Sequence, residues 1–108
     1  MGKYRNEKTV VDGMTFDSKR EARRYVYLKG LEHLGAIRNL RRQVPYVLIK
    51  GQKWADEHKH RDTKYIADFV YELDGETVVE DVKGFRTDAY KLKRELMKDR
   101  YGIEVQEI

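Results

Sequence analysis

The chain has 108 residues, 39% of them charged, with a net charge of +4 and no cysteine. That length supports one small core, and the lack of cysteine excludes disulfides, thiolate zinc sites and cysteine nucleophiles. No apolar run approaches the roughly 20 residues of a membrane helix and no signal-like segment follows the start, so the expectation is one soluble, cytoplasmic domain over residues 1–108 with no membrane partner.

Charge is unevenly spread. Residues 1–63 carry fifteen basic and eight acidic groups, whereas residues 64–108 carry eight and eleven. The first part can attract a polyanion and the second can hold a cation.

Residues 1–14 read as a basic arm or short ribbon with a turn at Asp12-Gly13. From Ser18 the pattern is helical: Ser18 with Glu21 is a capping-box signature, Tyr25, Leu28, Leu31 and Leu34 share a broad face, and Gly35 ends the helix. Gln43 to Ile49 is β-branched and aromatic and reads as a strand, which Pro45 places at a sheet edge or near a strand start. The polar residues 50–63 form a mobile basic loop or an extension of the next hairpin. That hairpin turns at Asp74-Gly75. Thr87 or Asp88 caps a second helix running to about Tyr101, with Ala89, Leu92 and Leu96 inward and Gly102 as its stop, and residues 103–108 alternate as a last strand. The order αβββαβ predicts a mixed sheet flanked by helices.

A two-residue turn pairs Leu73 with Glu76, and the same register sets Asp68 opposite Asp81. Like charges that close are destabilising unless something compensates. With regular alternation, Lys83 shares the face of Asp68 and Asp81, padded by Ile66, Val70 and Val79. Glu80 then points the other way, with Tyr65, Ala67, Phe69, Tyr71, Val78 and Val82. A bulge between the turn and Asp81 would exchange the roles of Glu80 and Asp81. Hard oxygen ligands at this spacing suit Mg²⁺ or Mn²⁺, and a lysine beside them can orient an attacking water, which fits phosphodiester hydrolysis. Alone, an Asp-x-Lys triplet makes ordinary surface ion pairs; the opposed Asp68, the apolar setting and the basic remainder of the chain favour a site.

Asp68 in "YIADF" and Asp81-Val82-Lys83 in "VEDVKG" resemble the PD-(D/E)xK nuclease superfamily, whose restriction-endonuclease-like αβββαβ core carries an acid on the second strand and (D/E)-x-K on the third. The chain is also similar to small phage and prophage endonuclease-like proteins through "VVDGMTFDSKREARRY", "YIADFVY" and "VVEDVKGFRT". No proline precedes Asp68, since Ala67 stands there. The resemblance implies a phage-derived, Mg²⁺- or Mn²⁺-dependent endodeoxyribonuclease related to Holliday junction resolvases. It assigns Asp68 and Asp81 to the metal, Lys83 to the water and Glu21 to completing the site, with the Val82 backbone carbonyl as a further oxygen. The capping box alone also accounts for Glu21, and both roles stay open.

Lys91, Arg94 and Lys98 fall on one side of the second helix, opposite its expected apolar stripe, and with Thr87 near its start they are candidate contacts to DNA, as are Lys3 and Arg5 in the arm. His58 and His60 make a weak ligand pair, so the loop carrying them reads as DNA-facing rather than as a zinc site. No sequence-reading motif is visible, and cutting two strands from so small a domain implies a homodimer. The rival reading is a nucleic-acid-binding module that keeps the fold without the activity.

Overall fold

The computed structural model describes residues 7–82 and 86–108; Lys3, Arg5 and Lys83 lie outside the described residues. The chain opens with a ribbon, β1 (Thr9–Val11) and β2 (Met14–Phe16), which turns on Asp12 and Gly13 at φ 52° and 77°. Both turn residues are left-handed, as a two-residue type I′ hairpin requires. The ribbon reaches two residues beyond the expected arm because Phe16 is a core residue, fully buried with its ring 5.2 Å from that of Tyr25.

Helix α1 (Lys19–His33) starts at Ser18, whose hydroxyl accepts the Glu21 N–H at 3.1 Å. It buries Glu21, Ala22, Tyr25 and Leu28. Leu34, expected on that face, is instead the C-cap and 83% exposed, because the chain leaves the helix there through Gly35 at φ 79°.

Strand β3 (Arg38–Ile49) begins five residues before the expected strand, and Pro45 sits on it at the edge of the sheet. The polar run from Arg38 to Arg42 gave no strand signal because an edge strand is half solvated. Beyond Ile49 the ribbon continues: Gln52 and His60 exchange backbone hydrogen bonds of 3.1 and 2.8 Å, and Lys53 pairs with Lys59. The stretch 50–63 is thus the hairpin extension. Gly51 is required there, since a Cβ would lie 2.2 Å from the His60 carbonyl oxygen.

Strands β4 (Thr63–Leu73) and β5 (Glu76–Asp81) form the central hairpin in the expected register, with Leu73 opposite Glu76 and Phe69 opposite Glu80. Helix α2 (Asp88–Tyr101) is capped by the Thr87 hydroxyl and stopped by Gly102 at φ 70°, as expected. Its buried residues are Tyr90 and Met97, and Leu96 packs against the same core as expected, whereas Leu92 is 59% exposed and Ala89 is exposed. The helix is rolled by about one residue, or 100°, from the aliphatic stripe because the larger Tyr90 and Met97 bury more surface. The closing strand is short: β6 (Gln106–Glu107) runs parallel to β5, while Val105 before it is buried.

The main sheet has order β3-β4-β5-β6 and is mixed. One core, Phe16, Ala22, Tyr25, Leu28, Ile37, Phe69 and Tyr71, lies under α1. The other, including Tyr65, Ala67, Val70, Val79, Tyr90 and Met97, lies under α2. This is a three-layer α/β arrangement with a helix on each sheet face. Among the described residues no helix is long and apolar enough to cross a membrane.

Candidate functional site

The site begins with a fault in the β3–β4 ladder. Pairs on either side keep one register, Arg42 with Phe69 and Val44 with Ala67, yet Gln43 between them has φ 51° and is not paired with Asp68. A left-handed residue inside a strand breaks the alternation of side chains. Level with it, β4 also changes face: Tyr65 and Ala67 pack toward α2, whereas Phe69 and Tyr71 pack toward α1. The expectation that Tyr65, Ala67, Phe69 and Tyr71 share one face is therefore corrected. Ile66, expected to pad the site, is 44% exposed for the same reason.

Asp68 stands at this break. Its Oδ2 accepts the Val82 N–H at 2.8 Å, and its Oδ1 lies 3.4 Å from Gln43 Nε2. The same Gln43 amide donates to Glu21 Oε2 at 3.2 Å. One amide thus joins an acid on α1 to an acid on β4. Only the Ser18 half of the capping box forms, and the Glu21 carboxylate turns inward to Gln43 and to Arg42, whose Nη2 is 3.9 Å away. The Arg42 guanidinium lies 4.0 Å over the Phe16 ring, which fixes it.

Glu21 is 5% exposed. Burial first, and then the negative charges of Asp68 and Asp17, push its carboxyl from 4.5 up to about 7, against the opposing pull of Arg42 and Gln43. The folded state therefore favours the protonated acid. Its contribution to stability is fully present below about pH 4.5 and is lost as pH rises through about 7. Replacing Glu21 by Gln should leave metal-free stability unchanged at pH 4 and raise it by on the order of 2 kcal/mol at pH 8. Denaturant melts of both proteins across that range read the difference; a gap that does not widen with pH would contradict the burial argument.

On the α2 side Asp81 is 2% exposed and its Oδ2 accepts the Tyr65 hydroxyl at 2.5 Å. Burial and this bond to Asp81 push the Tyr65 hydroxyl far above its usual range, so it remains a donor. Asp81 is also level with Glu107 on β6. Arg86 holds Glu107 through Nε and Nη2 at 2.9 and 2.7 Å, and the Tyr90 hydroxyl donates to it at 2.8 Å. The Arg86 hydrogen bonds lead in holding Glu107 down at about 2. On the α1 side Glu80 is 1% exposed, taking Arg24 Nε and Nη2 at 2.8 and 2.6 Å and the Tyr71 hydroxyl at 2.6 Å. Glu80 and Asp81 thus point to opposite faces, as the hairpin register requires.

Residues 1–107 match the family described as a protein of unknown function, DUF1064. The chain belongs to the DUF1064 family. No curated protein and no solved structure matches it.

In this DUF1064 chain the expected acids reach one end of the β4–β5 hairpin in two parts. Glu21 and Asp68 meet on Gln43, while Asp81 meets Tyr65. Among the described residues no group of three or more His, Cys, Asp or Glu is placed to hold a metal ion. The histidines do not gather either: His58 bonds Asp56 at 2.9 Å and the His60 ring lies 4.4 Å from that of Trp54.

On α2 the expected basic side is shared, Lys91, Arg94 and Lys98 lining one open cavity. Arg94 is partly buried with Nη1 3.5 Å from Glu107, Lys98 is 3.7 Å from Glu104, and Thr87 is engaged as the cap, which leaves Lys91 exposed. Sequence reasoning missed Gln43, Tyr65 and Glu107. A polar Gln43 two residues before Pro45 was the only local sign of the fault; Tyr65 and Glu107 come to Asp81 only through tertiary pairing.

Proposed function

We propose that this DUF1064 chain is a metal-dependent endodeoxyribonuclease on a restriction-endonuclease-like core, phage-derived and acting in the host cytoplasm on duplex or branched DNA in the manner of a junction resolvase or repair nuclease. The observation that carries the reading is the Glu21–Gln43–Asp68 assembly, two carboxylates on one amide, beside the buried Asp81 of an Asp-x-Lys triplet.

The donor chemistry fits Mg²⁺ or Mn²⁺. Both are hard cations taking carboxylate oxygens, and Mg²⁺ keeps several waters while using one or two carboxylates plus substrate phosphates. The charge of Asp68 adds to the cost of ionising Glu21, which a cation between them would relieve. These two and Asp81 would hold the ion, with the Val82 carbonyl oxygen as a further donor. When bound, it supplies charge stabilisation at the phosphate and a more acidic water. Lys83 positions the attacking water, and Tyr65 orients Asp81 by donating its hydroxyl. Cutting both strands requires a homodimer with one site per chain.

One observation favours the rival, a DNA-binding module without activity: the three acids are not gathered into a single cluster among the described residues. Labelled duplex, nicked, flap and four-way DNA, incubated with and without Mg²⁺ or Mn²⁺, separates the two. Cleavage of at least one substrate that requires the cation is expected; binding with no cleavage of any would favour the inactive module.

A further inference from the structure

Four basic side chains, Lys50, Lys59, Arg61 and Lys64, gather round an open cavity of about 470 Å³ at the base of the β3–β4 ribbon. None of them forms an ion pair among the described residues. Asp62 also lines the cavity and accepts the Gly51 N–H at 2.7 Å, Asp56 bonds His58, and Glu57 lies 3.9 Å from Lys53; across residues 50–64 five Lys and Arg outnumber three carboxylates. On α2, Arg94 is 3.5 Å from Glu107 and Lys98 3.7 Å from Glu104. Unpaired cations on a concave surface focus potential outward, and releasing counterions from a phosphate backbone is what such a surface does best.

We infer that these four residues are the principal DNA contact, binding phosphates of a duplex that also spans the acid site. The inference rests on the DNA reading above but not on catalysis. Strand β4 joins the two places: Lys64 is four residues and Arg61 seven from Asp68, roughly 13 and 23 Å at about 3.3 Å per residue. With about 3.4 Å of duplex per base pair, the contacted phosphates lie about four to seven base pairs from the bond that is cut. A two-stranded ribbon also fits the major groove, about 12 Å wide, which favours duplex over single-stranded DNA. Trp54, 58% exposed beyond the cavity, extends the same ribbon.

The test is the salt dependence of binding of the full chain to a 30-base-pair duplex in EDTA. The combined Lys50→Gln, Lys59→Gln, Arg61→Gln and Lys64→Gln variant should lower the slope of log affinity against log salt by about three to four units, at about 0.9 per lost contact, and weaken binding at least 100-fold near 0.1 M salt. The Lys91→Gln, Lys98→Gln variant should lower the slope by less than about one unit, where two full phosphate contacts would lower it by about 1.8. A charge-keeping exchange of the same four positions between Lys and Arg should retain the wild-type slope, which separates charge from folding.

An unchanged slope in the four-fold Gln variant overturns the inference, as does wild-type binding that is no tighter for duplex than for single strands, or no wild-type binding at all. A ribbon-dependent slope in a chain that cuts no DNA with either cation supports the inference while the nuclease reading falls.

Discussion

On the proposed function, Asp81→Asn should lose cation-dependent cleavage by about 10³-fold or more and should bind duplex DNA at least as tightly as the native chain. The amide is nearly isosteric with the carboxylate and can still accept the Tyr65 hydroxyl, so the fold around it persists. What disappears is a negative charge at a position only 2% exposed, where electrostatic interactions are strong and a cation would gain most. Removing that charge would also lessen repulsion of the phosphate backbone, so binding should not weaken. Glu80→Gln at the neighbouring position should leave the cation dependence intact, because Glu80 faces Arg24 and Tyr71 on the opposite side of the sheet. Purified Asp81→Asn and Lys83→Ala proteins that still cut DNA only when a divalent cation is present would sink the assignment.

Arg24→Ala should cost about 3 to 5 kcal/mol of stability, a large part of what a domain this small possesses. Glu80 is 1% exposed and takes both hydrogen bonds of a bidentate guanidinium as well as the Tyr71 hydroxyl. Truncating Arg24 leaves a buried charge with one neutral donor, and the energy lost is mainly the penalty for stranding it rather than the worth of the pair. The double change Arg24→Met with Glu80→Leu, which removes both charges and keeps the apolar volume, should recover most of the loss. Urea unfolding of the two variants measures this directly. A cost below about 1 kcal/mol for Arg24→Ala would mean that Glu80 finds water or another partner when Arg24 is gone.

The central hairpin was readable because its information is local. Asp74-Gly75 specifies a two-residue turn, the turn specifies the register, and the register separates Glu80 from Asp81, as Phe69 opposite Glu80 bears out. Both helix starts and stops were readable for the same reason, since Ser18, Thr87 and Gly102 act on their own backbone neighbours. Two features were not. The left-handed Gln43 breaks side-chain alternation, and no glycine or asparagine marks it. The roll of α2 depends on Tyr90 and Met97 filling space against Tyr65 and Val105, which is a property of the assembled core rather than of helical spacing. The site inherits both: Tyr65 reaches Asp81 because of the first, and Arg94 turns to Glu107 because of the second.

In the proposed nuclease, Glu21 and Asp68 share a divalent cation in place of the Gln43 amide. Calorimetric titration of Mn²⁺ into the metal-free chain tests that most directly. One saturable, Mg²⁺-competed site per chain is predicted, weakened at least about 10- to 100-fold in both Asp68→Asn and Glu21→Gln. Mn²⁺ binding that is equally tight in both variants, or no saturable binding in the native chain, would contradict it.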